Sequence, residues 1–155
     1  MTDHGRTYHL STRKGELSNL IVTVGDHARA RKIASLFQST LHTISSKRGF
    51  LTITGYYKDK IVSVVGIGMG ISMMDFFVRE AKAVVEGEMV IIRLGSCGGL
   101  SSALVGDIVV CDSSILVQRN PNAFLGASSD CSFTLSEPFN ADRSLTLKVF
   151  NSSLE

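Results

Sequence analysis

The chain has 155 residues, of which 44% are hydrophobic and 19% charged, a composition typical of a folded globular domain rather than a disordered segment. Sixteen lysines and arginines against fourteen aspartates and glutamates leave a formal net charge of +2, which argues against the concentrated basic surface of a general nucleic-acid-binding protein. No apolar run reaches the roughly 18 residues that a membrane span requires. We therefore expect one domain over residues 1–155 that acts on neither nucleic acid nor membranes.

The N-terminus and the cysteines bear on the cellular compartment. Residues 1–15 are polar and lack the apolar core of a secretory signal. The three cysteines, Cys97, Cys111 and Cys131, form neither a CxxC pair nor an even set for disulfides. We therefore expect reduced thiols and a cytoplasmic location.

The first part of the chain begins with a strand, a helix and a hairpin. The β-branched run 20–24 predicts a buried strand that ends at Gly25. From His27 the spacing of the apolar residues predicts a helix. The residues of that apolar stripe are Ile33, Leu36, Phe37 and Leu41. Residues 50–57 and 61–67 predict two strands of a hairpin joined by residues 58–60.

A second helix and a further strand follow the hairpin. Apolar residues recur at helical spacing after Gly70, with Ser72 and Asp75 as a capping pair and Gly87 as a C-terminal stop. Residues 89–94 predict the next strand. Because a hairpin precedes a strand–helix–strand unit, we expect an α/β fold with a mixed β-sheet flanked by helices.

The remainder of the chain is less regular. Residues 108–111 and 115–117 predict short strands, and residues 118–140 lack a clear period, which predicts a long loop or an insertion. A helix is expected to begin near Ala141.

The carboxyl ends of two predicted strands carry the same chemistry. Gly25 and Arg29 follow the first strand, and Arg93, Gly95 and Ser96 lie at the end of the strand 89–94. Open α/β sheets bind ligands at the carboxyl ends of their strands, where glycine amides, a hydroxyl and guanidinium groups can hold a phosphate. Turn glycines beside solvated arginines are the alternative interpretation of either segment taken alone.

Other candidate motifs favour structural roles. The glycine-rich segment 66–70 lacks the third glycine of a dinucleotide-binding fingerprint and is better explained by close backbone packing. Cys97 has no general base linked to it in sequence, so a pocket-lining role is favoured over that of a nucleophile. The four histidines show no metal-ligand spacing, and no metal site is expected.

Four segments in chain order carry a resemblance to a known family. They are residues 25–29 (GDHAR), 47–50 (KRGF), 66–71 (GIGMGI) and 92–98 (IRLGSCG). Their order and approximate spacing resemble the nucleoside phosphorylase family. The N-terminal Tyr8-His9-Leu10 is most similar to uridine phosphorylases, whereas segment 92–98 is also similar to purine nucleoside phosphorylases. The resemblance covers about residues 8–117, most of the chain.

The resemblance implies a reaction. A uridine phosphorylase, which is a pentosyltransferase, would convert uridine and phosphate into uracil and ribose 1-phosphate in pyrimidine nucleoside salvage. Inorganic phosphate would be a co-substrate, with no metal and no organic cofactor. A purine nucleoside phosphorylase and a non-catalytic relative that binds nucleoside or phosphate are the alternatives.

The resemblance also implies roles for individual residues. Gly25, Arg29, Arg93 and Ser96 would hold the phosphate, with Arg29 and Arg93 as the catalytic arginines. Arg48 would complete this site in the neighbouring subunit of a homodimer or larger homo-oligomer. His9 would likewise reach the neighbour's ribose, and Cys97 and Gly98 would line the nucleoside pocket. Family members are considerably longer, so we expect this chain to be the N-terminal portion of such an enzyme.

Overall fold

A computed structural model describes residues 5–100, 102–124 and 132–154. By its internal contacts the chain divides into two compact units, Met1–Cys97 and Gly98–Glu155, which are described separately below. Cys131 and the middle of the predicted loop 118–140 lie outside the described residues. The expectation of one domain over residues 1–155 stays a prediction.

The first unit contains a five-stranded mixed sheet. Its strands are β1 (Leu20–Val24), β2 (Ser39–Ser45), β3 (Leu51–Tyr57), β4 (Lys60–Gly66) and β5 (Val90–Arg93). The strand order is β2-β3-β4-β1-β5, with β1 parallel to both β4 and β5 and β3 antiparallel to both β2 and β4. The α/β class, the mixed sheet and the hairpin of β3 and β4 are therefore confirmed.

Two helices, α1 (His27–Ala34) and α2 (Ile71–Val84), pack on opposite faces of this sheet. Consecutive side chains of a strand point to opposite faces, so Val64 packs with α1 and Val65 with α2. The buried cluster with α1 contains Val24, Ala30, Ala34, Leu51, Ile53 and Val64. The buried cluster with α2 contains Leu10, Leu17, Ile21, Phe50, Val65, Ile67, Phe77, Ala81 and Val84.

The predicted apolar stripe after His27 was wrong beyond residue 34. Helix α1 ends at Ala34, and Leu41 lies in β2, a strand that the sequence analysis did not predict. The backbone N–H of Gln38 already donates to the carbonyl of Tyr56 at 2.8 Å, so the chain turns to pair with β3 directly after the helix. Pairing with a neighbouring strand therefore outweighs the helical spacing of the apolar residues.

Helix α2 is confirmed, but its predicted N-terminal capping pair is wrong. The helix begins at Ile71, and its N-cap is Gly70, at a φ of +91° that favours glycine. Ser72 therefore lies inside the first turn, and Asp75 forms an ion pair with Arg79 at 2.9 Å instead. The helix ends at Val84, three residues before Gly87.

The second unit consists of short strands and one helix. Its elements are β6 (Ser113–Ser114), β7 (Val117–Arg119), a 3-10 turn (Pro121–Phe124), β8 (Phe133–Leu135), β9 (Phe139–Asn140) and α3 (Arg143–Ser152). β6 pairs with β9 and β7 with β8, both antiparallel. None of the described residues of this unit is buried. In the described part of the chain, no helix is long and apolar enough to cross a bilayer.

Three predictions for this unit need correction. Residues 108–111 form no strand, because no described strand pairs with their backbone. The expected strand 115–117 is displaced, since β6 ends at Ser114 and β7 begins at Val117. The segment 118–140 is not one irregular loop, because it includes β8 and β9.

The helix expected near Ala141 is confirmed as α3, which Asp142 caps by accepting the N–H of Leu145 at 2.7 Å.

A buried ion pair near the N-terminus makes the stability of the first unit depend on pH. Glu16 is 6% exposed and accepts two hydrogen bonds from the guanidinium of Arg6, at 2.7 and 2.8 Å. Burial raises the pKa of Glu16, but hydrogen bonds and charge from Arg6 and Arg13 outweigh it, so the pKa lies below its ordinary value of 4.5. The ion pair therefore stabilises the fold fully above pH 4.5, and this stabilisation is lost as the pH falls through the lowered pKa of Glu16.

Replacing Glu16 with glutamine is therefore expected to destabilise the chain by about 1–3 kcal/mol at neutral pH. The difference from the unmodified chain should shrink as the pH falls through the lowered pKa of Glu16, because the folded carboxyl is then protonated and, like glutamine, carries no charge. Urea unfolding midpoints between pH 7 and pH 3 measure this difference. Glu86→Gln is the matched control, because the Glu86 side chain is 80% exposed. A difference for Glu16→Gln that stays constant with pH would contradict this account.

Candidate functional site

The carboxyl ends of three parallel strands, β4, β1 and β5, meet at one edge of the sheet. Backbone pairing continues past the strands, because Ile67 N–H donates to the Val24 carbonyl and Leu94 N–H donates to the Thr23 carbonyl, both at 2.9 Å. The sequence indicated two anion-binding strand ends but could not show that β1 and β5 are neighbours. The structure brings these ends side by side, with β1 in the middle.

The guanidinium of Arg93 crosses this edge. Arg93 is the last residue of β5. Its Nη2 donates to the carbonyl of Gly68, in the turn after β4, at 3.4 Å. A Cβ added to Gly25 would lie 3.6 Å from the same Nη2. A side chain at Gly25 would therefore be in van der Waals contact with the guanidinium, and glycine keeps the backbone at this position accessible to a ligand that approaches Arg93.

Arg29 is held by the residue that begins α1. Asp26 is the N-cap of this helix, and its Oδ1 accepts the backbone N–H of Arg29 at 2.7 Å. The other carboxylate oxygen, Oδ2, lies 3.4 Å from Nη2 of the same arginine. Asp26 therefore fixes both the helix start and the direction of the Arg29 side chain. Sequence analysis missed this role, although an aspartate three residues before Arg29 is an N-cap signal.

Charge and exposure at this edge favour an anionic ligand. We call Gly25, Asp26, Arg29, Gly68 and Arg93 the strand-end cluster. Its two guanidinium groups and one carboxylate leave an excess of positive charge. Arg93 is exposed and the Arg29 side chain is one-third exposed, so both remain accessible to a ligand. Charge-assisted hydrogen bonds from arginine to phosphate are among the stronger polar contacts in proteins.

A second group of residues lies together in the first unit. We call Tyr8, His9, Arg48, Phe76 and Glu80 the N-terminal cluster. The guanidinium of Arg48 donates to the Tyr8 hydroxyl, and its Cζ lies 4.8 Å from the centre of the Tyr8 ring. The Tyr8 ring meets the His9 ring edge-on at 5.1 Å. Tyr8 therefore links Arg48 and His9, the two residues that the resemblance assigns to a neighbouring subunit.

The turn that carries Arg48 is itself tied to α1. Ser46 Oγ accepts the Arg48 N–H at 3.0 Å, and the carbonyl of Gly49 lies 3.0 Å from Nε2 of His27. Gly49 has a φ of +87°, a conformation that glycine adopts readily. The position of Arg48 is thus set by this tight turn between β2 and β3 and by its contact with α1.

The remaining predicted site residues, Ser96, Cys97 and Gly98, lie beyond the end of β5. Ser96 and Cys97 follow β5 and are both exposed. In the described residues, neither side chain has a hydrogen bond to Gly25, Arg29 or Arg93. Gly98 belongs to the second unit and is also exposed. The roles expected for these three residues stay predictions.

Glu80 is the main residue of the N-terminal cluster that the sequence analysis missed. It lies on α2, and its carboxylate accepts hydrogen bonds from the backbone of His9 and Leu10 and from the His9 ring. Partial burial raises the pKa of Glu80, but these hydrogen bonds outweigh it, so the pKa lies below its ordinary value of 4.5. No local pattern in the sequence signals a contact between residues about 70 positions apart.

Comparison with known proteins finds relatives that are phosphorylases. A sequence model of the phosphorylase superfamily matches residues 19–155. A DeoD-type purine nucleoside phosphorylase of Listeria welshimeri is 34% identical in an alignment 151 residues long, which covers 92% of this chain and 64% of the relative. A DeoD-type purine nucleoside phosphorylase of Mycoplasma genitalium is 38% identical over 105 residues, which are 67% of this chain and 44% of the relative.

A solved structure is similar over nearly the whole chain. It comes from work on two uridine phosphorylases of the oomycete Phytophthora capsici and is 37% identical, with a TM-score of 0.86. The similarity covers 97% of this chain and 52% of the solved one. The chain thus spans between 44% and 64% of the length of these relatives.

Proposed function

Because the chain belongs to the phosphorylase superfamily, we propose that it takes part in the phosphorolysis of uridine to uracil and ribose 1-phosphate. The observation that carries this proposal is the exposed guanidinium of Arg93, which crosses the open strand-end edge beside Gly25. The solved structure with 37% identity, from work on uridine phosphorylases, supports uridine as the nucleoside. Homodimer assembly and a cytoplasmic location belong to the same proposal.

The strand-end cluster has the chemistry that this reaction requires. A phosphate oxygen attacks the anomeric carbon of the ribose, the glycosidic C–N bond breaks, and its electron pair leaves with the base. The sugar carries positive charge during bond cleavage, and a phosphate dianion held beside it stabilises that charge and is also the nucleophile. Arg29 and Arg93 would hold and orient the dianion, so their contribution is positioning and electrostatic stabilisation.

The N-terminal cluster would contribute across a dimer interface. In this proposal Arg48 reaches the phosphate of the neighbouring subunit, and His9 reaches its ribose. The side chains of Arg48 and His9 both contact Tyr8, which supports a shared role. Ser96 would add a hydroxyl to the phosphate site, and Cys97 and Gly98 would line the nucleoside pocket.

Purine nucleoside phosphorolysis is the second candidate function. The curated relatives from Listeria welshimeri and Mycoplasma genitalium are purine nucleoside phosphorylases at 34% and 38% identity, which favours it. Release of hypoxanthine from inosine, rather than of uracil from uridine, would distinguish the two reactions.

Release of free base tests the proposal directly. Purified chain of verified mass is incubated with uridine or inosine, with and without phosphate, and the base is measured by chromatography. We expect uracil release that depends on phosphate. Arg93→Ala protein prepared identically is the control, because a contaminating host phosphorylase would keep its activity in that sample. Absence of release from both nucleosides would contradict the proposal, and binding without release would indicate a non-catalytic relative.

A further inference from the structure

The carboxylate of Glu80 anchors the N-terminal segment to α2. Its two oxygens each lie 2.9 Å from the backbone nitrogen of His9, and Oε2 also accepts the Leu10 N–H at 2.8 Å. Oε1 lies 2.7 Å from Nδ1 of the His9 ring. One side chain therefore fixes both the backbone and the imidazole of the same residue.

The donors around Glu80 determine which ring nitrogen of His9 carries the proton. The hydrogen bonds from His9 and Leu10 keep this carboxyl ionised, since its pKa lies below 4.5. An ionised carboxylate can only accept hydrogen bonds, so Nδ1 must be the protonated nitrogen. In a neutral imidazole the other nitrogen, Nε2, then carries a lone pair and can only accept.

Neighbouring rings also fix the plane of the imidazole. The Phe76 ring stacks on it, with centroids 4.0 Å apart and planes inclined by 16°. Tyr8 contacts its edge at an interplanar angle of 83°. A quarter of the His9 side chain remains exposed, and within the described residues Nε2 has no hydrogen-bond partner. The ring therefore presents one free acceptor in a fixed direction.

We propose that Glu80 is a positioning residue that holds His9 in the Nδ1–H tautomer, so that Nε2 accepts a hydrogen bond from a hydroxyl of the nucleoside sugar. This inference rests on the proposed function, in which His9 contacts the ribose. It adds that the contact selects for a hydrogen-bond donor on the sugar, because an Nε2 lone pair repels an acceptor. An analogue that lacks the contacted hydroxyl should lose this contact.

The tautomer is measured on the unmodified chain without any substrate. Two-bond ¹⁵N–¹H correlation spectra of ¹⁵N-histidine-labelled protein at about pH 8, above the ordinary histidine pKa of about 6.5, distinguish the two ring nitrogens. We expect His9 to be protonated at Nδ1 alone, with assignment from the spectrum of His9→Gln. Protonation at Nε2 alone, at both nitrogens, or an exchanging mixture would overturn the proposal.

The effect on catalysis is measured with a matched pair of variants on α2. Glu80→Gln retains the shape of the side chain but not its charge, and we expect kcat/KM for the full nucleoside to fall about tenfold. Asp75→Asn removes a carboxylate from the exposed surface of the same helix and is expected to leave kcat/KM unchanged. Thermal unfolding of both variants verifies that they fold.

Substrate analogues distinguish a positioning role of Glu80 from a general loss of activity in the Glu80→Gln variant. Nucleosides that lack the 2′, 3′ or 5′ hydroxyl are compared in turn, and one of them should be cleaved equally well by Glu80→Gln and by the unmodified chain. Equal losses for all nucleosides would overturn the proposal, because a merely structural residue affects them alike. If the unmodified chain releases no base at all, the proposed function fails, and the spectra of the unmodified chain and of Glu80→Gln still decide whether Glu80 holds His9 in the Nδ1–H tautomer.

Discussion

Replacing Arg93 with alanine is expected to weaken phosphate binding by about 2–3 kcal/mol, a rise in the apparent KM for phosphate of roughly 30- to 150-fold. Arg93 extends from the end of β5 to the turn after β4, where its Nη2 is 3.4 Å from the Gly68 carbonyl. No other side chain of the strand-end cluster joins these two strand ends. Truncation therefore removes the charge at the centre of the edge.

The measurement is the dependence of base release on phosphate concentration at saturating nucleoside. Arg79→Ala is the matched control, because this arginine lies on the exposed surface of α2 in an i,i+4 pair with Asp75. Such a surface pair contributes little to stability, and its loss should not change the KM for phosphate. An unchanged KM in Arg93→Ala would contradict the phosphate site. Arg93→Lys, which keeps the charge without the forked geometry, should recover only part of the loss.

The parts of the fold that were predicted correctly have local signals. The run 20–24 is β-branched and ends at a glycine, and the short polar segment 58–60 separates two strand-like runs, so β1 and the hairpin follow from short-range patterns. The same patterns placed Gly25 and Arg93 at strand ends. Their proximity to each other could not be predicted, because it depends on β5 pairing with β1 rather than with another strand.

The incorrect or missing predictions share a different physical cause. Strand β2 has apolar residues that continue the helical spacing of α1, and only its pairing with β3 makes it a strand. In the second unit the apolar run 108–111 predicted a strand, but it pairs with no described strand, and no described residue of this unit is buried. The contact between Glu80 and His9 joins distant segments and leaves no periodic signal.

Phe77 and Phe76 are adjacent on α2 and offer a direct test of the core. Phe77 is completely buried, in the cluster between α2 and the sheet, whereas Phe76 is 38% exposed. Phe77→Ala is expected to cost about 3–5 kcal/mol, because it leaves a cavity among side chains that cannot close around it. Phe76→Ala should cost only about 0.5–1.5 kcal/mol, mainly through its lost stacking on His9.

Urea unfolding followed by circular dichroism compares the two variants, and amide hydrogen exchange identifies where stability is lost. Because Ile21 and Val65 belong to the same buried cluster as Phe77, faster exchange is expected along β1 and β4 in Phe77→Ala. A domain of this size is stabilised by about 5–15 kcal/mol in total, so this single cavity removes a large share of the folding free energy. Equal destabilisation by the two alanines would mean that α2 does not present Phe77 to the core.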